Sequence, residues 1–302
     1  MTAPGGSERR VTPRAIDSRT VRDTLRSACI HARHSLSQNF LVDVDVLDAI
    51  LAAASPPPGR RVLEVGPGLG ILTGALLDAG AAVTAVELDT GLAALLRMTF
   101  ADAVARAEAE PDAPGGLRLV EGNVLDQDLS TLMTPPFDVV ANLPYHITSP
   151  TLHRLLDLHV PPERLVVMVQ REVAERIAAK PGQMSYLSVF VQYHARVQIE
   201  RIVLPAAFEP SPDVESAVLR LDSAPEARTL TAEREDELWR LVQASFRERR
   251  KMLHNVLSRQ LPMPAPRVLA ALEAAGIVPD RRPQTMSVED WIGLLEAIRP
   301  LP

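Results

Sequence analysis

The chain has 302 residues, of which 46% are apolar, and a net charge of −6. This length and composition indicate a soluble globular protein with one large or two ordinary domains. Because the net charge is negative, any contact with a polyanion such as nucleic acid has to be local. No apolar stretch of membrane length and no apolar N-terminal signal region occur, so we expect a cytoplasmic protein without a membrane partner.

Cysteine and histidine give no sign of a metal site. Cys29 is the sole cysteine, so an internal disulfide is excluded, and no Cys/His cluster has the spacing of zinc ligands. We therefore expect no bound metal. The oligomeric state cannot be read from the sequence, and a monomer is the default expectation.

The N-terminal part is predicted to be a tail followed by two helices. Residues 1–16 are rich in Gly, Pro, Ser and Arg, which predicts disorder. A short helix is expected over Asp17–Ala28 and another over Val44–Ala54, and the run from Pro56 to Gly59 ends the second helix.

A strand, a glycine turn and a helix follow. Val62–Val65 is the strand, Gly66, Gly68 and Gly70 form the turn, and the helix begins at Ile71. Such glycines let the backbone approach a ligand, and the helix N-terminus behind them supplies unpaired N–H groups. The next buried strand ends at Glu87, 19 residues after Gly68. An acid at this spacing is typical of a carboxylate that binds the ribose of a nucleoside.

Two cofactors fit this unit, a nicotinamide dinucleotide and S-adenosylmethionine. Ile71 stands where a dinucleotide fingerprint would have its third glycine. Pro67 and Glu64 are tolerable beside the amino-acid part of S-adenosylmethionine, whose positive charge an acid favours. The loop therefore favours the methyl donor, while a loop that serves strand-helix packing alone stays open.

Strands and helices continue to alternate as far as residue 221. The expected helices are Leu92–Ala109, one N-capped by Ser149 with Pro150 at its first position, and Glu172–Ala179. The expected strands are Leu117–Val120, Phe137–Ala141, Leu165–Gln170, Val197–Leu204 and Ser216–Leu221. The pattern over Leu187–His194 fits a helix or a strand. This alternation predicts a doubly wound α/β sheet. Gly66, Glu87, Asn123 and Asn142 all follow strands, so their loops are expected to converge on one crevice.

The segment from Asn142 to Thr148 looks suited to hold an exocyclic amine. The Asn142 side-chain oxygen and the Leu143 carbonyl, just before Pro144, can accept both hydrogens of an sp² amine. The Tyr145 ring offers a stacking face for a base. Together with a methyl donor, the turn predicts amine methylation on a nucleobase.

The composition shifts near residues 222–226, and only helical periodicity follows Thr231. Ser287 and Asp290 form the pattern of a helix start before Trp291. We expect an α/β domain over residues 17–223 and a small all-helical domain over 224–302. The latter carries four cations in seven positions, namely Arg247, Arg249, Arg250 and Lys251. Such a run is either a solvated helix face or a contact for RNA.

Together these motifs resemble the bacterial small-subunit ribosomal RNA adenine dimethyltransferase family. The similarity runs from about Ser37 to Ser287 and is carried by Gln38–Leu41, Glu64–Gly70, Asn142–Tyr145, Glu172–Arg176, Ala179–Gly182, Phe208–Val218 and Arg249–Lys251. It implies a mostly parallel, Rossmann-like S-adenosylmethionine methyltransferase sheet with a C-terminal helical domain. It also implies dimethylation of N6 on two adjacent adenosines in the 3′-terminal hairpin of 16S rRNA, during assembly of the small ribosomal subunit.

The resemblance assigns roles to individual residues. Asn39, Leu41, Gly66, Gly68, Glu87, Leu88, Asn123, Val124 and Asn142 would bind S-adenosylmethionine. Asn142 and the Leu143-Pro144 backbone would orient the target N6, Tyr145 would stack on the flipped adenine, and Phe208 would close its other face. Arg247, Arg249, Arg250 and Lys251 would contact RNA.

The chain departs from the family pattern at two positions. Asn123 stands where the family usually has an acid that accepts from the adenine of the cofactor, and Ser37 stands where glycine is common. Asn keeps an acceptor oxygen, so recognition of the adenine should survive. The alternatives are a macrolide-resistance type enzyme, which dimethylates large-subunit RNA, and a factor that only binds immature subunits.

Overall fold

The computed structural model describes residues 17–28, 38–224, 230–248 and 250–298. The expected disordered tail over 1–16, Cys29, Ser37 and Arg249 lie outside these residues. Within the described part of the chain, no helix is long and apolar enough to cross a membrane.

A seven-stranded sheet forms the centre of the described structure. The described residues form nine strands, of which seven belong to this sheet. They are β1 (Phe40–Leu41), β2 (Arg61–Val65), β3 (Ala82–Glu87), β4 (Leu117–Glu121), β5 (Phe137–Asn142), β6 (Arg164–Gln170), β7 (Ala195–Val203), β8 (Phe208–Glu209) and β9 (Ser216–Ser223). The sheet has the order β4-β3-β2-β5-β6-β9-β7, and β1 pairs with β8 apart from it. The five neighbouring strands β4, β3, β2, β5 and β6 pair in parallel, while β9 runs antiparallel to its neighbours β6 and β7.

The strand order reverses at β2, which has β3 on one side and β5 on the other. In open α/β sheets, ligands bind outside the carboxyl ends of the strands at such a switch point. The predicted doubly wound, mostly parallel sheet is confirmed. Its crevice is expected where β2, β3 and β5 end.

Some helices pack on the two faces of the sheet, and others come after its last strand in the chain. They are α1 (Ser18–Ser27), α2 (Val44–Ala54), α3 (Ile71–Asp78), α4 (Thr90–Thr99), α5 (Ala101–Ala109), α6 (Leu129–Leu132), α7 (Thr148–Leu156), α8 (Arg171–Ile177), α9 (Tyr186–His194), α10 (Ala232–Phe246), α11 (Leu253–Gln260), α12 (Ala265–Ala274) and α13 (Val288–Ala297). Along β5, Val139 and Ala141 enter one core cluster and Val140 enters another. Because side chains alternate along a strand, the sheet is buried on both faces.

The helix expected over Leu92–Ala109 is wrong, since the structure has two helices that meet at Phe100. There the backbone leaves helical geometry, with φ −112° and ψ 33°. The Phe100 ring packs beneath the glycine loop, where a Cβ on Gly70 would lie 2.5 Å from it. The Thr99 hydroxyl also donates to the Leu95 carbonyl, a contact that often bends helices.

The predicted start of α7 is also wrong. The helix begins at Thr148 directly after a 3₁₀ turn over Tyr145–Ile147, so Ser149 is not its N-cap. Pro150 therefore lies third in the helix. This position is tolerated because the first N–H groups of a helix have no partner within it.

The C-terminal helices pack around their own core, but not in isolation. Trp291, Leu238 and Leu272 are fully buried in it, together with Val189 and Tyr193 of α9. The segment Leu187–His194, for which the sequence favoured neither helix nor strand, thus belongs to helix α9, and this helix joins the sheet to the C-terminal core. Ser287 caps α13 in the predicted capping box with Asp290. The division into domains at residue 223 stays a prediction.

Candidate active site

A cavity opens at the carboxyl ends of β2, β3, β4 and β5. Its wall includes the residues predicted to bind the cofactor, namely Asn39, Leu41, Gly66, Gly68, Glu87, Leu88, Asn123, Val124 and Asn142. The amine-holding residues Leu143, Pro144 and Tyr145 line the same cavity. The structure thus brings together four loops that lie far apart in the sequence, although the role of each residue stays a prediction.

The glycine loop is shaped by backbone geometry that other residues rarely adopt. Gly66, Gly68 and Gly70 have φ angles of 67°, 60° and 81°. A Cβ on Gly68 would lie 3.2 Å from the Phe40 ring. The loop can therefore run close to a ligand on one side only because it carries no side chains toward β1 and α4 on the other.

Glu87 closes the cavity at the end of β3 and also holds the glycine loop. Its carboxylate accepts from the backbone N–H of Gly68 at 3.1 Å and of Asp89 at 2.9 Å. Burial raises the pKa of Glu87, and these hydrogen bonds oppose the rise. Each oxygen keeps a further lone pair, so the pair of hydroxyls of a ribose could donate to it.

Asn123 lies at the turn after β4, and its side chain has a structural task. Its Oδ1 accepts from the Leu125 N–H at 3.0 Å and so caps the short 3₁₀ turn Val124–Asp126. The same oxygen is the one predicted to accept from the cofactor adenine. One lone pair remains for that purpose.

Glu64 is a second carboxyl in the cavity wall and is 1% exposed. Burial raises its pKa to about 8; the Thr73 hydroxyl, which donates to it at 2.7 Å, opposes the rise, and Glu87 adds to it. The sequence placed an acid here beside a cationic ligand but did not reveal Thr73, since a hydroxyl on the next helix is not announced by any motif. His146 also lines the cavity without having been predicted.

The Asn142 turn is fixed from two sides. The Asn142 Nδ2 donates to the Asn39 carbonyl at 3.2 Å, and the Leu143 N–H donates to the Met168 carbonyl of β6 at 3.1 Å. Because a carbonyl can only accept, the first contact determines which end of the amide is the oxygen. The Asn142 oxygen is left as an acceptor, as an amine substrate would require.

Tyr145 follows this turn, and its hydroxyl is anchored. The hydroxyl forms a 2.7 Å hydrogen bond with Ser216 at the start of β9, and Ser216 is fully buried. Burial raises the pKa of Tyr145, and the Ser216 bond opposes the rise. The phenol is thus held at its far end while its ring lines the cavity.

Phe208 is the predicted site residue that the structure does not bring to the cavity. It pairs with Leu41 between β8 and β1 and is 2% exposed within the core. Leu41 itself lines the cavity. The expected contact of Phe208 with a target adenine stays a prediction that its present packing does not provide.

The described part of the basic cluster lies in the segment that connects α10 to α11. Arg247, Arg250 and Lys251 are exposed. Backbone hydrogen bonds join Leu253 to Arg281, and Gly182 to Gln284. Exposed Arg282 therefore lies beside the segment that follows the basic cluster, and exposed Lys180 lies near the segment that carries Arg282.

The cavity fits S-adenosylmethionine better than a dinucleotide. Two buried carboxyls, Glu64 and Glu87, lie in its wall, and among the described residues neither forms an ion pair with Lys or Arg. A diphosphate would disfavour the ionised forms of these carboxyls further, whereas the cationic methionine part of S-adenosylmethionine would stabilise them. Glu64, Glu87 and the glycine loop would hold this cofactor, which supplies an electrophilic methyl group. The fold and this site define a Rossmann-like S-adenosylmethionine-dependent methyltransferase.

Sequence comparison identifies the family. A family model described as ribosomal RNA adenine dimethylase matches residues 30–299. The chain belongs to this ribosomal RNA adenine dimethylase family. It is 40% identical over 281 residues to the ribosomal RNA small subunit methyltransferase A of Geobacter sulfurreducens, covering 91% of this chain and 98% of the relative. The protein of the same name from Anaeromyxobacter sp. strain K is 42% identical over 271 residues, covering 88% and 93%.

Solved structures agree with this assignment. A dimethyladenosine transferase from Plasmodium falciparum superposes with a TM-score of 0.69 and 25% identity, over 84% of this chain and 95% of that one. The 23S rRNA methyltransferase ErmE superposes with a TM-score of 0.65 and 28% identity, over 86% and 99%. The fold is thus shared with a dimethyladenosine transferase and with a methyltransferase named for 23S rRNA.

Proposed function

We propose that the protein transfers methyl groups from S-adenosylmethionine to N6 of two adjacent adenosines in the 3′-terminal hairpin of 16S rRNA, two to each. The orientation of the Asn142 amide carries this proposal. Its nitrogen donates to the Asn39 carbonyl, so its oxygen remains as an acceptor. An acceptor pair at this position suits an amine donor.

The residues of the turn act by orientation rather than by strong base catalysis. The N6 lone pair is delocalised into the adenine ring, which makes it a poor nucleophile. Hydrogen bonds from N6 to the Asn142 oxygen and the Leu143 carbonyl favour a pyramidal nitrogen and expose that pair. The bound cofactor would supply the methyl group that this pair attacks, its sulfur leaving as a neutral thioether, and the surplus proton would pass to solvent.

Stacking would select an adenine that has left its helix. The anchored Tyr145 ring supplies one face, and Phe208 is proposed for the other. The singly methylated product is still an amine with one N–H. It can rebind in the same turn for the second transfer.

The exposed cations of the helical region are proposed to bind the RNA backbone. Arg247, Arg250 and Lys251 belong to this surface, with Arg249 beside them in the sequence, and Lys180 and Arg282 extend it. The partner is then the immature small ribosomal subunit, met by a monomer in the cytoplasm. No membrane and no metal take part.

A second candidate is dimethylation of the large-subunit RNA, because ErmE shares the fold. Its identity to this chain is 28%, against 40% and 42% for relatives named for the small subunit. These relatives favour the small-subunit substrate. Methylation of isolated subunits separates the two candidates.

Two asparagine variants test the proposed roles within the site. Asn142→Ala should lower the methylation rate at saturating cofactor by roughly 100-fold or more, as expected when a group that stabilises the transition state is removed. Asn123→Ala, the matched control at the other end of the cavity, should raise the KM for S-adenosylmethionine and leave kcat within a few-fold. Dimethyladenosine is quantified by nucleoside mass spectrometry. An Asn142→Ala enzyme with the wild-type kcat would overturn the proposal.

A further inference from the structure

Glu64 and Thr73 form a buried carboxyl-hydroxyl pair inside the cavity wall. Glu64, on β2, is 1% exposed and Thr73, on α3, is fully buried. The Thr73 Oγ1 donates to the Glu64 Oε2 at 2.7 Å, and among the described residues this is the sole hydrogen bond of the Glu64 side chain. Thr73 does not belong to the set predicted to bind the cofactor.

The charges around Glu64 do not compensate an ionised carboxyl. The neighbouring strand β3 contributes Glu87, which is followed by Asp89 at the start of α4. Strand β5 contributes the neutral Asn142 at this edge, and His146 lines the cavity beyond it. No Lys or Arg of the described chain forms an ion pair with Glu64. Burial and Glu87 both raise the pKa of Glu64, and Thr73 opposes them.

Strand order indicates which part of the cofactor Glu64 faces. The sheet places β2 between β3 and β5, so Glu64 lies between Glu87 and Asn142. Glu87 is suited to the ribose, and Asn142 to the amine that receives the methyl group. The sulfonium of S-adenosylmethionine joins the ribose to the methyl group, and its third branch, the methionine chain, carries the ammonium. The cationic part of the cofactor therefore belongs beside Glu64.

We propose that Glu64 holds a proton while the cavity contains no cation and releases it to solvent when S-adenosylmethionine binds, with Thr73 as the positioning residue for the resulting carboxylate. The inference rests on the proposed function only for the identity of the ligand. Binding of the cofactor is then coupled to the release of one proton. One O–H bond of Glu64 breaks, and the proton passes to the buffer.

Calorimetric titration of the full-length protein with S-adenosylmethionine tests the proton release. At pH 6.5 the cofactor ammonium is charged. The binding heats measured in phosphate and in imidazole buffer differ by the number of protons released multiplied by the difference between the ionisation enthalpies of the two buffers. Wild type should release close to one proton per cofactor bound. Glu64→Gln, which keeps a polar partner for Thr73, should release none. No release by wild type, or equal release by both proteins, would overturn the proposal.

Variants of Thr73 test its positioning role. Thr73→Val should weaken cofactor binding at pH 6.5 by roughly tenfold or more, since a hydrogen bond to a charged group is removed. Thr73→Ser, which keeps the hydroxyl, should bind within a few-fold of wild type. The loss of affinity should shrink between pH 7 and pH 9, because Glu64, with a pKa of about 8, is then increasingly ionised before the cofactor binds. Thermal unfolding checks that each variant is folded.

Equal affinities of the Val and Ser variants, or a loss of affinity that does not change with pH, would remove the role of Thr73. These outcomes are independent of the RNA substrate. Proton-coupled cofactor binding by an enzyme that methylates neither ribosomal subunit would sink the proposed function and leave this inference standing. An enzyme that dimethylates 16S rRNA without proton release would do the reverse.

Discussion

Two carboxyl groups, Glu64 and Glu87, share one cavity wall, and no Lys or Arg among the described residues forms an ion pair with either. Burial raises the pKa of both, and Glu64 reaches about 8. In the unfolded chain the pKa of Glu64 returns to its usual 4.5. Between these values the folded protein holds a proton that the unfolded chain has released. The free energy of unfolding of the cofactor-free protein therefore falls as pH rises, by at most about 1.4 kcal/mol per pH unit for this group.

Glu64→Gln should remove this pH dependence. The variant should gain about 1 to 3 kcal/mol of stability relative to wild type between pH 5.5 and pH 8, because Gln has no proton to exchange. Urea unfolding of the cofactor-free proteins at both pH values measures the change. Glu172→Gln, at an exposed position, is the control and should show no such gain. A difference between Glu64→Gln and wild type that is the same at both pH values would contradict this account of Glu64.

The glycine loop and the break between α4 and α5 form one structural unit. Gly70 is the N-cap of α3, and the Phe100 ring and Leu96 occupy the space that its Cβ would take, at 2.5 and 2.7 Å. The end of α4 thus sets the position of the loop that faces the ligand. The helix break at Phe100 is the means by which an aromatic ring reaches this place.

Gly70→Ala should destabilise the protein by about 2 kcal/mol or more, since a Cβ at φ 81° is strained and also overlaps the buried Leu96 and the half-buried Phe100. Gly293→Ala is the matched control. Gly293 lies in α13 with open space around it, so the change should be neutral or stabilising by up to about 1 kcal/mol. Thermal unfolding compares the two variants. Equal melting temperatures would show that Phe100 does not constrain the loop.

Sequence periodicity predicted the sheet and the crevice because both depend on local signals. Each buried strand is a short apolar run, and Gly66, Glu87 and Asn142 stand where such runs end. The break at Phe100 depends instead on a contact with Gly70, which lies thirty residues earlier in the chain. The strands β1 and β8 are two residues each and join distant parts of the chain, so no periodicity announces them.

Other elements were ambiguous for a different reason. Helix α9 is apolar around much of its circumference, because Leu187, Phe190 and Val191 face the sheet core while Val189 and Tyr193 face the C-terminal core. A helix buried on two sides loses the period of 3.6 that distinguishes it from a strand. The pairing of Thr73 with Glu64 likewise depends on tertiary packing alone.

At the scale of the whole molecule, α9 links the methylating crevice to the helices that carry the cations. Aromatic side chains pack along this connection. The ring centroids of His153 in α7 and Phe190 in α9 are 3.9 Å apart, and those of Phe190 and Trp239 in α10 are 5.1 Å apart. Such a packed connection holds the two regions in a fixed arrangement. A folded RNA could then be bound at the basic surface while one of its bases enters the crevice.

Replacing Arg250 and Lys251 with Gln should weaken binding to small-subunit RNA and make the dependence of log affinity on log salt shallower, by about 0.7 to 0.9 for each phosphate that is no longer neutralised. The control is Arg61→Gln, at the start of β2 on the edge opposite the crevice, where Arg61 pairs with Asp112. It should leave affinity and salt slope unchanged. Filter binding over a range of salt concentrations measures both. Equal effects of the two changes would argue against the basic surface.

The central claim is that this crevice dimethylates adenosines of the small ribosomal subunit. The most direct measurement is nucleoside mass spectrometry after the protein and S-adenosylmethionine are incubated separately with unmethylated small and large subunits. The account predicts N6,N6-dimethyladenosine in the small-subunit sample alone, at two residues per 16S rRNA. Dimethyladenosine confined to the large subunit, or absent from both samples, would contradict it.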